Sequence, residues 1–187
     1  MISHNLFENV SRETNQKFFI FEGLLKKWNQ KVNLVSSNTL SDFMVRHVLD
    51  SLQLVQFANT DDGVWLDIGS GGGFPGIPLA IYSKEKYPKF KFKLMDSNSK
   101  KCHFLENVCE NLNIEATVIC GRMELAEVVN CDYIVSRAVA PLNELLEYSR
   151  RHRKKIGKSL FLKGKNLEKE ISVARKSWIF NYRIHKS

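Results

Sequence analysis

The chain has 187 residues, 43% of them hydrophobic and 26% charged, with a formal net charge of +8. That length fits one domain with a small extension, and burying roughly 70% of the unfolded surface is enough to fold without a disulfide or a metal. No apolar run approaches the ~20 residues of a membrane span, the opening residues lack a secretory pattern, and four cysteines (Cys102, Cys109, Cys120, Cys131) form no CxxC pair.

A protein of the reducing cytoplasm is therefore expected, with no metal and no membrane. From Asn5 to Gln30 apolar residues recur at helical spacing (Phe7, Val10, Phe18, Phe21, Leu25, Trp28), and Ser41-Asp42 precedes a second helical stretch through Phe43, Val45, Val48, Leu49, Leu52 and Val55. Residues 1–60 read as a helical N-terminal extension. Val64–Ile68 is a short apolar run ending in glycine, which predicts a buried strand. Phe90–Met95 alternates like a strand near a sheet edge, and Ala116–Cys120, Tyr133–Val135, Ser159–Leu162 and Trp178–Phe180 are further strand candidates. Helical patterns lie between them, as in Lys100–Leu112, so residues 61–187 predict an α/β fold with a mostly parallel sheet.

Charge is concentrated at the end. From Arg150 to Ser187 there are thirteen Lys/Arg and two acids, densest at Arg150-Arg151-His152-Arg153-Lys154-Lys155. Such a run reads either as a solvated face or as a footprint for a polyanion such as nucleic acid.

Five of the ten glycines fall between positions 69 and 76, directly after the first predicted strand. Glycine there allows a tight turn and close approach of the backbone to a ligand. A P-loop requires a Lys-Ser/Thr pair after its last glycine, which is missing, and the dinucleotide frame Gly69-Ser70-Gly71-Gly72-Gly73-Phe74 has Phe at its third glycine. What remains is an acid-x-G-x-G-x-G pattern headed by Asp67, which resembles motif I of class I S-adenosylmethionine-dependent methyltransferases. A strand-end carboxylate suits a cationic ligand better than a pyrophosphate. Asp96 closes the next predicted strand, where a ribose diol would lie, although a helix N-cap is the plain alternative.

Lys27-Trp28-Asn29, Arg46-His47-Val48-Leu49-Asp50-Ser51-Leu52, the Asp67–Leu79 stretch with Gly73-Phe74-Pro75-Gly76-Ile77-Pro78, Asp96-Ser97, Lys100-Lys101, Ser136-Arg137-Ala138 and Leu162-Lys163-Gly164 occur in that order. Together they resemble the RsmG (GidB) family of bacterial small-subunit ribosomal RNA methyltransferases over nearly the whole chain. The resemblance implies a Rossmann-like class I methyltransferase fold, and transfer of methyl from S-adenosylmethionine to N7 of a guanine in the decoding region of 16S rRNA. It implies cofactor contacts at Gly69, Phe74, Met123, Glu124 and Arg137, added to Asp67, Gly71 and Asp96 from the loop pattern. Arg46, His47 and Lys163 resemble positions on the substrate side. The basic residues Arg150, Arg151, Arg153 and Lys165 are expected to meet RNA, free or in the 30S subunit.

No catalytic base is expected, because N7 carries a lone pair and no proton; Arg137 and Lys163 are read as positioning groups. Trp178–His185 resembles the family's sixth strand, and the final antiparallel strand is expected to be missing. A monomer is expected. A methyltransferase with another substrate, or a non-catalytic basic RNA-binding or ribosome-assembly module, remain the alternatives.

Overall fold

The computed structural model describes residues 10–186. Five strands form one sheet: β1 (Asp62–Ile68), β2 (Lys89–Asp96), β3 (Ala116–Cys120), β4 (Cys131–Arg137) and β5 (Arg153–Leu162). Their order is β3-β2-β1-β4-β5, and every pairing is parallel. The direction of winding reverses between β1 and β4, which opens a crevice beyond the carboxyl ends of those strands. Register places Asp67 beside Leu94 and Val135, Asp96 beside Cys120, and Arg137 beside Leu162.

The longer helices are α1 (Arg12–Asn29), α2 (Gly76–Lys86), α3 (Ser99–Leu112), α4 (Leu142–His152) and α5 (Leu167–Ala174). Side chains alternate across the sheet, so neighbours in β1 serve opposite layers. Trp65 packs in one cluster with Phe18, Phe21 and Leu25 of α1, Ile77 of α2 and Phe104 of α3. Leu66 and Ile68 join Ile134, Met95 and the α4 residues Leu145 and Tyr148 on the other side.

Local chemistry sets the helix ends. Ser11 caps α1 by accepting the Thr14 amide at 3.1 Å. Asn98 caps α3 through the Lys100 and Lys101 amides, and Asn113, at φ 48, closes it in the left-handed region. Phe7 and the rest of residues 1–9 lie outside the described part of the predicted first helix.

Two expectations need correction. The second helical stretch is not one regular helix: Ser37–Asp42 is 3-10, Phe43–Leu49 is π-helical, Asp50–Leu52 is a single α turn and Gln53–Phe57 is again 3-10. Trp178–Phe180 is not a strand, and residues 178–186 carry no regular structure. Ring contacts dock that segment instead. Phe180 packs on the cluster of Leu142, Ile171 and Ala174, Trp178 lies under Arg150, and His185 meets Phe57 with centroids 4.6 Å apart.

Candidate functional site

The glycine loop turns sharply out of β1. Gly69, Gly71 and Gly73 stand at φ +67, +51 and +89, a region that favours glycine. The Gly69 and Ser70 amides both donate to Met95 O, at 2.8 and 3.0 Å, which staples the loop to the end of β2. The Gly71 amide donates to Asp96 Oδ2 at 2.9 Å, while Asp96 Oδ1 accepts from Asn98 N at 2.8 Å. A Cβ on Gly71 would meet nothing closer than 3.7 Å, with Lys101 Nζ at 3.8 Å and Asp96 Oδ2 at 3.9 Å. A Cβ on Gly69 would instead overlap the Val139 side chain, and one on Gly76 would overlap Leu94.

Asp67 lies buried beneath this loop. Its Oδ2 accepts the Gly76 amide at 2.9 Å, and its Oδ1 has no hydrogen-bond partner. Burial pushes its carboxyl up to about 7, against the opposing pull of the Gly76 amide, the Ser70 hydroxyl and Arg137. An orphaned buried oxygen on a group that titrates near neutrality is suited to a cationic or hydrogen-bond-donating ligand.

Phe74 carries the second part of the site. The His47 ring stacks on it at 4.7 Å, Phe43 meets it edge-on at 6.0 Å, and the Arg137 guanidinium lies 4.5 Å from its centroid. Arg137 also donates to Arg46 O at 3.2 Å, and exposed Arg46 pairs with Asp42 at 3.2 Å. His47 is buried, and neither ring nitrogen has a side-chain or backbone partner in hydrogen-bond geometry. Burial first, and then the charges of Arg137 and Arg46, hold its pKa down at about 4, only partly countered by the Thr39 backbone. His47 is thus neutral at pH 7.

Met123 and Glu124, beyond β3, are gripped by α4. His152 Nε2 lies 2.8 Å from Met123 O, Tyr148 donates to Glu124 Oε1 at 2.9 Å, and Arg151 donates to Ala126 O at 2.7 Å. The Glu124 pKa is lowered by its own amide and by the Tyr148 hydroxyl. Sequence reasoning missed Tyr148 and His152; their i, i+4 spacing on the buried face of α4 was the available signal.

Lys163 follows β5, one residue past the partner of Arg137. Its ammonium pairs with Glu170 Oε2 at 2.6 Å and donates to Ala140 O at 3.0 Å. Exposed Lys165 lies in the turn beyond it. The dense basic run is elsewhere, because β5 begins at Arg153 and ends beside Arg137, so Arg150, Arg151 and Arg153 stand at the opposite end of the sheet. Much of that run already has partners: Arg150 pairs with Glu147, Arg153 donates to Gly157 O, and Lys154 pairs with Asp132. The structure therefore gathers Asp67, Gly69, Gly71, Phe74, Asp96, Arg46, His47 and Arg137 at one end of the sheet, with Lys163 alongside. It separates the Arg150–Arg153 run from them. Among the described residues no cluster of His, Cys, Asp and Glu could hold a metal, and no helix is long and apolar enough to cross a membrane.

Residues 14–187 match the GidB family model, described as rRNA small subunit methyltransferase G. A ribosomal RNA small subunit methyltransferase G of Ruegeria sp. is 46% identical over 176 residues, covering 94% of this chain and 85% of that protein. The protein of that name from Paracoccus denitrificans is 37% identical over 180 residues, covering 96% and 91%. Among solved structures, coclaurine N-methyltransferase aligns with a TM-score of 0.51 at 13% identity, over 81% of this chain and 53% of that one. Precorrin-6y C5,15-methyltransferase from Geobacter metallireducens gives 0.51 at 14% identity, over 68% and 70%. The fold they share with this chain is the Rossmann-like class I methyltransferase fold.

Proposed function

Because the chain belongs to the rRNA small subunit methyltransferase G family, we propose that its glycine-loop site transfers a methyl group from S-adenosylmethionine to N7 of a guanine in 16S rRNA. The protein is an S-adenosylmethionine-dependent methyltransferase of small-subunit ribosomal RNA. The single observation that carries the site reading is Asp96, which fixes the Gly71 amide through Oδ2 and so ties the end of β2 to the glycine loop.

The residues present fit the cofactor. Asp96 has lone pairs left for a ribose diol, and Asp67, buried beneath the loop with Oδ1 unpaired, would be favoured in its ionised form by a positively charged ligand nearby. Glu124, oriented by Tyr148, and Met123 would flank the adenine, with Gly69, Phe74 and Arg137 completing the contacts. When bound, S-adenosylmethionine supplies an electrophilic methyl carbon.

Guanine N7 has a lone pair and no proton, so this chain need not supply a general base. Its task is to align the nitrogen and exclude water. Neutral, buried His47 is suited to packing under Phe74, not to proton transfer. Arg137 and Lys163 act as positioning groups, because a cation beside the product ring would not stabilise its new charge. On the RNA side, Arg46 and Lys165 border the site. Arg150, Arg151 and Arg153 would meet a different stretch of rRNA backbone, to the extent that they exchange their present partners for phosphates. A cytoplasmic monomer, with residues 1–60 as the helical extension and 61–187 as the catalytic core, completes the reading.

Tritiated-methyl transfer from S-adenosylmethionine into purified 30S subunits tests it. Incorporation into 16S rRNA that disappears with Asp96→Ala is expected. RNA binding without incorporation would favour a non-catalytic assembly module.

A further inference from the structure

The segment between β4 and α4 is held from outside itself. Ala138 stands at φ 51, a left-handed conformation that is unfavourable for alanine and lacks the local side-chain bonding by which asparagine tolerates it. Val139 follows, seated so closely on Gly69 that no Cβ could fit there. At the next residue, Ala140 O accepts from Lys163 Nζ at 3.0 Å.

One carboxylate oxygen closes the arrangement. Glu170 Oε2 pairs with Lys163 Nζ at 2.6 Å and accepts the Leu142 amide at 2.8 Å. That amide is one of the orphan donors at the start of α4, where Pro141 offers no side-chain acceptor. The Lys163 and Glu170 side chains are only 10% and 25% exposed, so both bonds are charge-assisted and largely shielded from water. Glu170 sits on α5.

We propose that Glu170 is a positioning residue for methyl transfer: by bridging Lys163 and the Leu142 amide, it holds residues 138–141 so that Val139 lies on Gly69 and Arg137 stays over Phe74. The catalytic half of this inference rests on the function proposed above. Glu170 touches neither cofactor nor substrate. It acts through Lys163 and the chain after β4.

The full chain with Glu170→Ala, and with Glu170→Gln, which restores an acceptor for Leu142 without the charge, provides the test. In Glu170→Ala, amide exchange across residues 138–142 should rise by about tenfold or more, the scale of one lost charge-assisted bond, with the rest of the chain unchanged. Single-turnover methylation of saturating 30S subunits should fall by about tenfold or more, while the Kd for S-adenosylmethionine stays within about threefold. Glu170→Gln should recover part of both effects, and it carries the same comparisons if Glu170→Ala fails to fold. Unchanged exchange at 138–142, or faster exchange with a rate within about twofold of the parent, overturns the inference. So does a rate loss matched by an equal loss of cofactor affinity, which marks a merely structural role. If the unaltered chain methylates nothing, the proposed function fails, and the exchange comparison alone still decides whether Glu170 holds the segment.

Discussion

Arg137 lies over Phe74, with its guanidinium carbon 4.5 Å from the ring centroid. The same ring stacks on His47, so the arginine charge reaches a buried imidazole in one direction and Asp67 in the other. Arg137 favours the carboxylate form of Asp67 and disfavours the cationic form of His47. Removing it moves both pKa values up. In Arg137→Ala, NMR titration should show the His47 midpoint rising from about 4 and that of Asp67 rising from about 7. Arg137→Lys should keep both near the parent, and unmoved titrations in Arg137→Ala would show that the charge is screened.

Asp67 makes stability depend on pH in an unusual direction for a carboxyl group. Its pKa is raised from 3.8 unfolded to about 7 folded, so the native state holds the proton more tightly. The contribution is fully present below pH 3.8 and is lost as pH rises through about 7. Relative to Asp67→Asn, the parent protein should lose Tm between about pH 4 and 7, as thermal unfolding at matched ionic strength will show. Binding of a cationic cofactor favours the ionised form, so S-adenosylmethionine affinity should rise over that range and become flat in Asp67→Asn.

His47 acts with the opposite sign. Its folded pKa of about 4 lies below the ordinary 6.5, so its contribution is present above pH 6.5 and is lost as pH falls through about 4. Relative to His47→Gln, the parent should lose Tm between pH 6.5 and 4. With cofactor and RNA saturating, the single-turnover rate should not change with a His47 ionisation. A step near neutrality that vanishes in His47→Gln would make the imidazole catalytic.

The loop glycines should separate binding from folding. Gly71→Ala finds room but must hold φ +51, a strain of about 1 kcal/mol, and it places a methyl group 3.9 Å from Asp96 Oδ2. The variant should fold with a modestly lower Tm and lose cofactor affinity in calorimetry. Gly76→Ala drives a methyl into Leu94 and within 2.7 Å of Asp67 Oδ2, so stability should fall first, by about 1–3 kcal/mol in denaturant unfolding.

Much of the fold was legible in the chain because the central strands, buried on both faces, are short apolar runs and the others are short β-favouring runs of apolar and small residues. Val64–Ile68, Phe90–Met95, Ala116–Cys120, Tyr133–Val135 and Ser159–Leu162 all fall inside observed strands. The glycine loop and its two strand-end acids were legible for the same reason, being local in sequence. The π-helical turns at Phe43–Leu49 were not, since apolar spacing there serves wide and regular helices alike. Trp178–Phe180 looked like a strand because aromatic residues favour sheets, but their rings are used for docking. The i, i+4 spacing of Tyr148 and His152 marks a buried helix face, but their partners, and the Leu142 amide that Glu170 accepts, lie 24, 29 and 28 residues away, which local spacing does not reveal. The basic run advertised a charge and concealed that Glu147 and Asp132 already answer part of it.

The most direct test of the central claim is mass spectrometry of nucleosides from 16S rRNA after incubating 30S subunits from cells lacking this activity with the purified chain and S-adenosylmethionine. The account predicts one new 7-methylguanosine per 16S molecule, formed by the parent protein and not by Asp96→Ala or Gly71→Val. No new methylation, or a methyl group on any other base or on a ribosomal protein, would contradict it.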